Sequence, residues 1–162
     1  MQKHILSVLA ENKSGVLSRI AGLLRRKLFN IDSLTVGRTC KDDVSRFTIV
    51  LLGDEEAARK AALNIETLVE VLSVKILPAE QTLVREIGLA RLRPHSNAEE
   101  KKLLIAVKNI FHKEIYRTDD EVCVELVDTT QGLDDFLTAI QEAHIEVLEW
   151  VRSGVIAIKD KS

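Results

Sequence analysis

His4-Ile5-Leu6-Ser7-Val8-Leu9-Ala10-Glu11-Asn12-Lys13-Ser14-Gly15-Val16-Leu17-Ser18-Arg19-Ile20 changes character halfway along. Residues 4–10 form a compact apolar run, closed by the polar Glu11-Asn12-Lys13-Ser14, and read as a buried strand. From Gly15 onward Val16, Ile20, Leu23 and Leu24 recur at helical spacing. Arg19 falls on the polar side, and Arg25-Arg26-Lys27 supply the basic last turn that suits a helix C-terminus. A strand therefore runs straight into an amphipathic helix.

After Asn30 the apolar period changes to two, with Ile31, Leu34 and Val36 in one short run and Phe47, Ile49 and Leu51 in the next. Cys40-Lys41-Asp42-Asp43 is the polar turn between two antiparallel strands. Gly53-Asp54 opens a second helix over about residues 55–67, with Ala58, Ala61, Ala62 and Ile65 inward, and residues 68–77 are again strand-like. Strand, helix, strand, strand, helix, strand is the split βαβ, or ferredoxin-like, order.

Pro78-Ala79-Glu80-Gln81-Thr82 breaks the pattern, and the elements then recur. A strand is expected over residues 86–92, a helix over about 97–111, strands near Ile115 and over 121–127, and a helix begun by Gly132-Leu133-Asp134-Asp135. Strand residues from Ile145 and through Val155-Ile156-Ala157-Ile158 complete the set. The expected fold is α+β, two tandem ferredoxin-like βαββαβ domains over residues 1–77 and 85–162, joined by a linker at 78–84. The architecture repeats, whereas the sequence does not.

With 162 residues, 46% of them hydrophobic, the chain can bury one substantial core or two small ones. A formal charge of -2 gives no electrostatic footprint for nucleic acid or anionic membranes. No apolar run is long enough to span a bilayer. The first residues lack the pattern of a secretory signal, so a cytoplasmic location is expected. Cys40 and Cys123 lie far apart with no CxxC pair, against a zinc site or a disulfide framework.

The chemistry lies in residues 12–17. An Asn, Ser and Gly loop entering a helix presents unpaired N–H groups and the positive end of the helix dipole, both suited to a carboxylate. Gly15 lets backbone approach a ligand closely, and Asn12 and Ser14 offer side-chain hydrogen bonds. The same residues also read as a plain helix cap. Asn30, opening the second strand, could accept from an ammonium group, or could be a turn residue tolerating left-handed geometry.

Other signals are weaker. His4, His95, His112 and His144 have no second ligand at metal-binding spacing. The pairs Asp42-Asp43, Asp119-Asp120 and Asp134-Asp135 mark turns and helix starts, and Cys40 has no neighbour in sequence to activate it. Ferredoxin-like RNA-binding domains stack bases on strand aromatics, which 4% aromatic content does not supply.

Residues 5–19, quoted above, closely resemble the opening of acetolactate synthase small subunits, which are ACT-domain proteins. Asn30-Ile31-Asp32-Ser33-Leu34-Thr35-Val36-Gly37 resembles their second segment. Ser45-Arg46-Phe47-Thr48-Ile49, Leu68-Val69-Glu70-Val71, Arg85-Glu86-Ile87 and Arg152-Ser153-Gly154-Val155 extend the likeness in order along the chain. Leu28 departs from it, standing where the family usually has glycine.

The resemblance implies a non-catalytic regulatory subunit whose ACT domain, residues 1–77, forms a homodimer. It implies binding of valine or a related branched-chain amino acid by Asn12, Ser14, Gly15, Val16, Leu17, Asn30 and Ile31, with feedback inhibition as the result. The implied partner is the large catalytic subunit, which would carry thiamine diphosphate, magnesium and FAD, leaving no cofactor, metal or catalytic residue here. The competing reading is a stand-alone ACT-type module regulating another enzyme or a transcription factor.

Overall fold

The computed structural model describes residues 2–160. Its elements are β1 (Gln2–Glu11), α1 (Val16–Arg26), β2 (Asn30–Arg38), β3 (Val44–Gly53), α2 (Glu55–Glu66) and β4 (Val71–Leu77), followed by a 3-10 turn at Ala79–Gln81. Then come β5 (Thr82–Arg93), α3 (Asn97–Val107), β6 (Phe111–Arg117), β7 (Val122–Asp128), α4 (Thr130–Glu142), β8 (Glu146–Arg152) and β9 (Ile156–Lys159). The chain forms two compact units, one of residues up to 83 together with those from 155 onward, the other of residues 84–154.

Each unit carries an antiparallel sheet with its first strand inside. The orders are β2-β3-β1-β4 and β6-β7-β5-β8, the same topology twice, as the tandem ferredoxin-like reading expects. In the first unit Leu6, Val8 and Ala10 of β1 and Phe47, Ile49 and Leu51 of β3 meet Val16, Ile20 and Leu24 of α1. Ala58, Ala61 and Ile65 bring α2 onto the same face, the two alanines leaving the helix close to the sheet. Each fully buried Leu or Ile here contributes roughly 1.5–3 kcal/mol. Leu92, Val122, Leu126, Leu133, Phe136 and Ile140 form the corresponding core of the second unit. Trp150 of β8 packs on Phe136, ring centroids 5.9 Å apart, and lies over Gly88, where an added Cβ would come within 2.5 Å of the indole.

The structure moves several boundaries. The helix expected to reach residue 111 ends at Val107, because Ile110 N–H turns back to the Val107 carbonyl and Phe111 pairs with Val127 as the start of β6. The strand expected from residue 68 begins at Val71, since the Leu68 and Val71 amides close turns onto Ile65 and Leu68. Thr129, not Gly132, opens α4: its Oγ1 accepts from the Gly132 N–H at 3.1 Å.

The stretch 78–84, expected as a linker, is a 3-10 turn and the beginning of β5. The second domain is expected to run to residue 162, of which 161 and 162 lie outside the described residues; the second compact unit closes at Gly154, and residues from Val155 group with the first. Gly154 takes φ 80 and redirects the chain, after which Val155 N–H donates to Ser33 Oγ at 3.2 Å and Asp160 N–H to the Gln81 carbonyl at 2.7 Å. Between those two bonds β9 pairs with β5, the strand that begins at Thr82 in the first unit.

Leu28 now has a structural meaning. It sits just past α1 with φ 59, while its N–H bonds the Arg25 carbonyl and Phe29 N–H reaches back to Leu24, the paired bonds of a Schellman helix end. That left-handed position favours glycine, and the Leu28 side chain is 90% exposed. His144, φ 61, ends α4 in the same way. Left-handed geometry costs a non-glycine residue about 1–2 kcal/mol, partly offset by glycine's greater freedom when unfolded. Leu28→Gly should therefore stabilise the first unit by about 0.5–1 kcal/mol, read as a higher denaturation midpoint at unchanged slope; a lower midpoint would contradict this account.

Candidate functional site

The loop between β1 and α1 is fixed differently from a side-chain cap. Gly15 itself occupies the N-cap position, φ 86 and ψ -15, and no side chain caps the helix. Asn12 is used elsewhere: its N–H donates to the Asp43 carbonyl at 2.7 Å and its Nδ2 to the Asp42 carbonyl at 3.0 Å, pinning the loop to the β2–β3 turn. The first turn of α1 contains no acidic residue. The Val16 N–H meets the Lys13 carbonyl at 3.4 Å, and the leading amides and the dipole have no side-chain anion of the first turn to compete for them.

Around that end, Val16 is buried as the anchor, while Asn12, Ser14 and Gly15 are exposed and Leu17 is 46% exposed. Arg19 Nη2 pairs with Glu70 at 2.7 Å and lies 3.9 Å from the position of a Cβ added at Gly15. Lys13 pairs with Glu11 at 2.8 Å, and the hydrogen bond to Glu11 holds its ammonium above the ordinary lysine pKa. An anion at the amides would lie beside two cations already bonded to carboxylates.

Asn30 and Ile31 lie elsewhere. Asn30 pairs with Leu52, which pairs with Lys3 at the beginning of β1, whereas Asn12 follows the end of that strand. About nine residues of strand separate the two levels, roughly 30 Å. One chain does not bring Asn30 to Asn12. Asn30 is exposed and Ile31 half-buried, on β2, an edge strand of the first sheet.

A second constellation was missing from the sequence reading. In the second unit Glu86, only 5% exposed, receives Arg152 through Nε at 3.0 Å and Nη2 at 2.5 Å, and also the Thr130 hydroxyl at 3.3 Å. Arg152 Nη1 reaches Asp134 at 2.5 Å. The Glu86 contact, followed by that of Asp134, holds the guanidinium above its ordinary pKa against the opposing effect of burial. Nothing local in sequence signals a pair so distant, yet both partners lie in segments that carried the family resemblance, 85–87 and 152–155.

The other reactive residues stay dispersed. Among the described residues no group of three or more His, Cys, Asp or Glu is placed to hold a metal ion. Asp135 accepts from Gln131, and His112 Nδ1 meets the Ile110 carbonyl. Cys40 is exposed, whereas Cys123 is half-buried and desolvation pushes its thiol pKa up. No helix among the described residues is long and apolar enough to cross a membrane.

Comparison with known proteins places these features in a family. The AHAS small subunit-like ACT domain matches residues 6–73, and the family described as the small subunit of acetolactate synthase matches residues 85–161. The probable acetolactate synthase small subunit of Archaeoglobus fulgidus is 36% identical over 157 residues, 96% of each chain. The acetolactate synthase small subunit of Haemophilus influenzae is 37% identical over 157 residues, 96% of this chain and 94% of that one. The crystal structure of the Thermotoga maritima acetolactate synthase small subunit superposes with a TM-score of 0.88 at 26% identity, covering 100% of this chain and 99% of that chain. The chain belongs to the acetolactate synthase small-subunit family, with that family's ACT domain in its first unit.

Proposed function

We propose that the chain is the non-catalytic regulatory subunit of a cytoplasmic acetolactate synthase, raising the activity of the large catalytic subunit and making it respond to valine or another branched-chain amino acid. The observation that carries this reading is the collinear similarity over both units, 96% of the chain. On this reading thiamine diphosphate, magnesium and FAD would belong to the large subunit, and no cofactor to this one.

The amino-acid site would be shared between two copies. Antiparallel pairing of β2 with β2 of a second copy sets the Asn30 end of one strand against the Arg38 end of the other. The Arg38 end adjoins the β2–β3 turn to which Asn12 is bonded. A homodimer of this kind would bring Asn30 and Ile31 of one copy to Asn12, Ser14, Gly15, Val16 and Leu17 of the other, joining residues that a single chain keeps apart.

In that arrangement the ligand carboxylate rests on the amides from Ser14 to Leu17 and its ammonium on acceptors including Asn30. Its branched side chain meets apolar residues, Ile31 and Leu17 among them. One methylene in such a pocket is worth only about 1–3 kcal/mol, so valine is preferred over leucine or isoleucine without excluding them.

Mixing the chain with its cognate large subunit should raise acetolactate synthase activity, and calorimetric titration of the chain should give a valine isotherm, with leucine and isoleucine weaker. Failure to associate with or activate a large subunit, with valine still bound, would favour the stand-alone ACT-type regulator.

A further inference from the structure

Arg19 folds back along α1 toward the helix entrance. Its Nη2 lies 3.9 Å from the position of a Cβ added at Gly15, one turn earlier, and 2.7 Å from Glu70. Among the described residues Glu70 is the only ion-pair partner of this guanidinium. A guanidinium presents several N–H donors in a planar fork matched to carboxylates, so a contact through Nη2 leaves donors for a second anion.

Glu70 is the better anchored member of the pair. Its carbonyl accepts from Glu11 N–H at 2.9 Å, which ties the residue before β4 to the end of β1. Its side chain is 18% exposed, against 53% for Arg19. The arginine is therefore the side chain free to turn. Glu70 also helps to hold the Lys13 ammonium above its ordinary pKa, behind the hydrogen bond and charge of Glu11. Two acids, Glu11 and Glu70, thus engage two bases, Lys13 and Arg19, beside the entrance of α1.

We propose that Arg19 binds the carboxylate of the amino-acid ligand and that Glu70 is a built-in competitor for Arg19, setting the amino-acid concentration at which the site fills. The inference rests on the reading of the Gly15 loop as the seat of the ligand carboxylate, and it lies wholly within the first unit. Without ligand the guanidinium neutralises Glu70. With ligand it turns to the incoming carboxylate or is shared between the two anions. Loosening the Arg19–Glu70 contact offsets part of the attraction, so affinity lies below what the amides and the guanidinium alone would give. A pair that only braced the loop predicts otherwise, because loss of either member would then weaken binding.

Valine titrations of the full-length chain by calorimetry, and of holoenzyme activity, distinguish these cases. Glu70→Gln keeps the side-chain shape and the backbone bond to Glu11. It should tighten valine about 2- to 5-fold, with half-inhibition at correspondingly less valine. Arg19→Gln should weaken valine about 10-fold or more through loss of a charge-assisted hydrogen bond. Glu70→Gln added to Arg19→Gln should change affinity by less than about twofold, since the competitor then has no cation to withhold. Valine affinity unchanged or weakened in Glu70→Gln, unchanged in Arg19→Gln, or raised as much by Glu70→Gln when Arg19 is absent would each overturn the proposal. Absence of valine binding to the unmutated protein would instead overturn the underlying reading of the site.

Discussion

Gly15→Asp is expected to abolish the response of the holoenzyme to valine. Gly15 sits in the left-handed region at φ 86, and aspartate is among the residues that tolerate this best, so the backbone strain is about 1 kcal/mol and the fold should persist. The new carboxylate would project beside the leading amides of α1, with Arg19 Nη2 only 3.9 Å from the added Cβ. An internal anion would then occupy the seat proposed for the ligand's own carboxylate and repel a second one. Gly15→Ala, adding a methyl group and strain but no charge, should weaken valine inhibition without removing it. Activity titrated with valine is the measurement, with co-elution of the large subunit as control; an unchanged titration curve for Gly15→Asp would remove the loop from the site.

Glu86→Ala should destabilise the second unit by about 2–4 kcal/mol. It strips a 5% exposed carboxylate from a bidentate arginine contact and leaves the Thr130 hydroxyl without that acceptor. The estimate stays below the full range for broken buried pairs because the Arg152 side chain is 26% exposed and keeps Asp134. Trp150, the sole tryptophan, lies on the neighbouring strand and reports on this unit during denaturant unfolding. Arg152 has its pKa raised in the fold, so its favourable contribution is complete below the unfolded arginine value and is lost only as pH climbs through the folded one. An unfolding curve for Glu86→Ala that coincides with that of the unmutated protein would refute this account of the network.

The elements were legible wherever their periodicity was strong. β1 and α1 could be placed from the switch at Glu11 to Gly15, because burial of one face imposes a period of about two on strands and 3.6 on helices. Boundaries depended on partners the sequence does not display. Phe111 continues an apolar helical pattern, yet its place opposite Val127 makes it strand. The loop was legible as a helix entrance suited to a carboxylate, but not its mechanics: Asn12 looked like a cap and is a tie to the next hairpin's turn.

By itself the sequence determined two βαββαβ patterns in series, a polar loop from Asn12 that opens a helix by Leu17, and the resemblance that runs through both halves. Local propensity and burial period suffice for the first two, since each depends on residues within a few positions of one another. Only the tertiary structure decided that Asn30 stands at the far level of the sheet from Asn12, because strand register is a relation between segments. It alone decided that Leu28 occupies a glycine conformation, that residues from Val155 return to the first unit, and that Glu86 and Arg152 form one buried network. Those facts join groups up to 122 positions apart, as Val155 and Ser33 are. No periodicity in a linear sequence encodes such a pairing; it exists once the chain has folded and each buried polar group has found its partner.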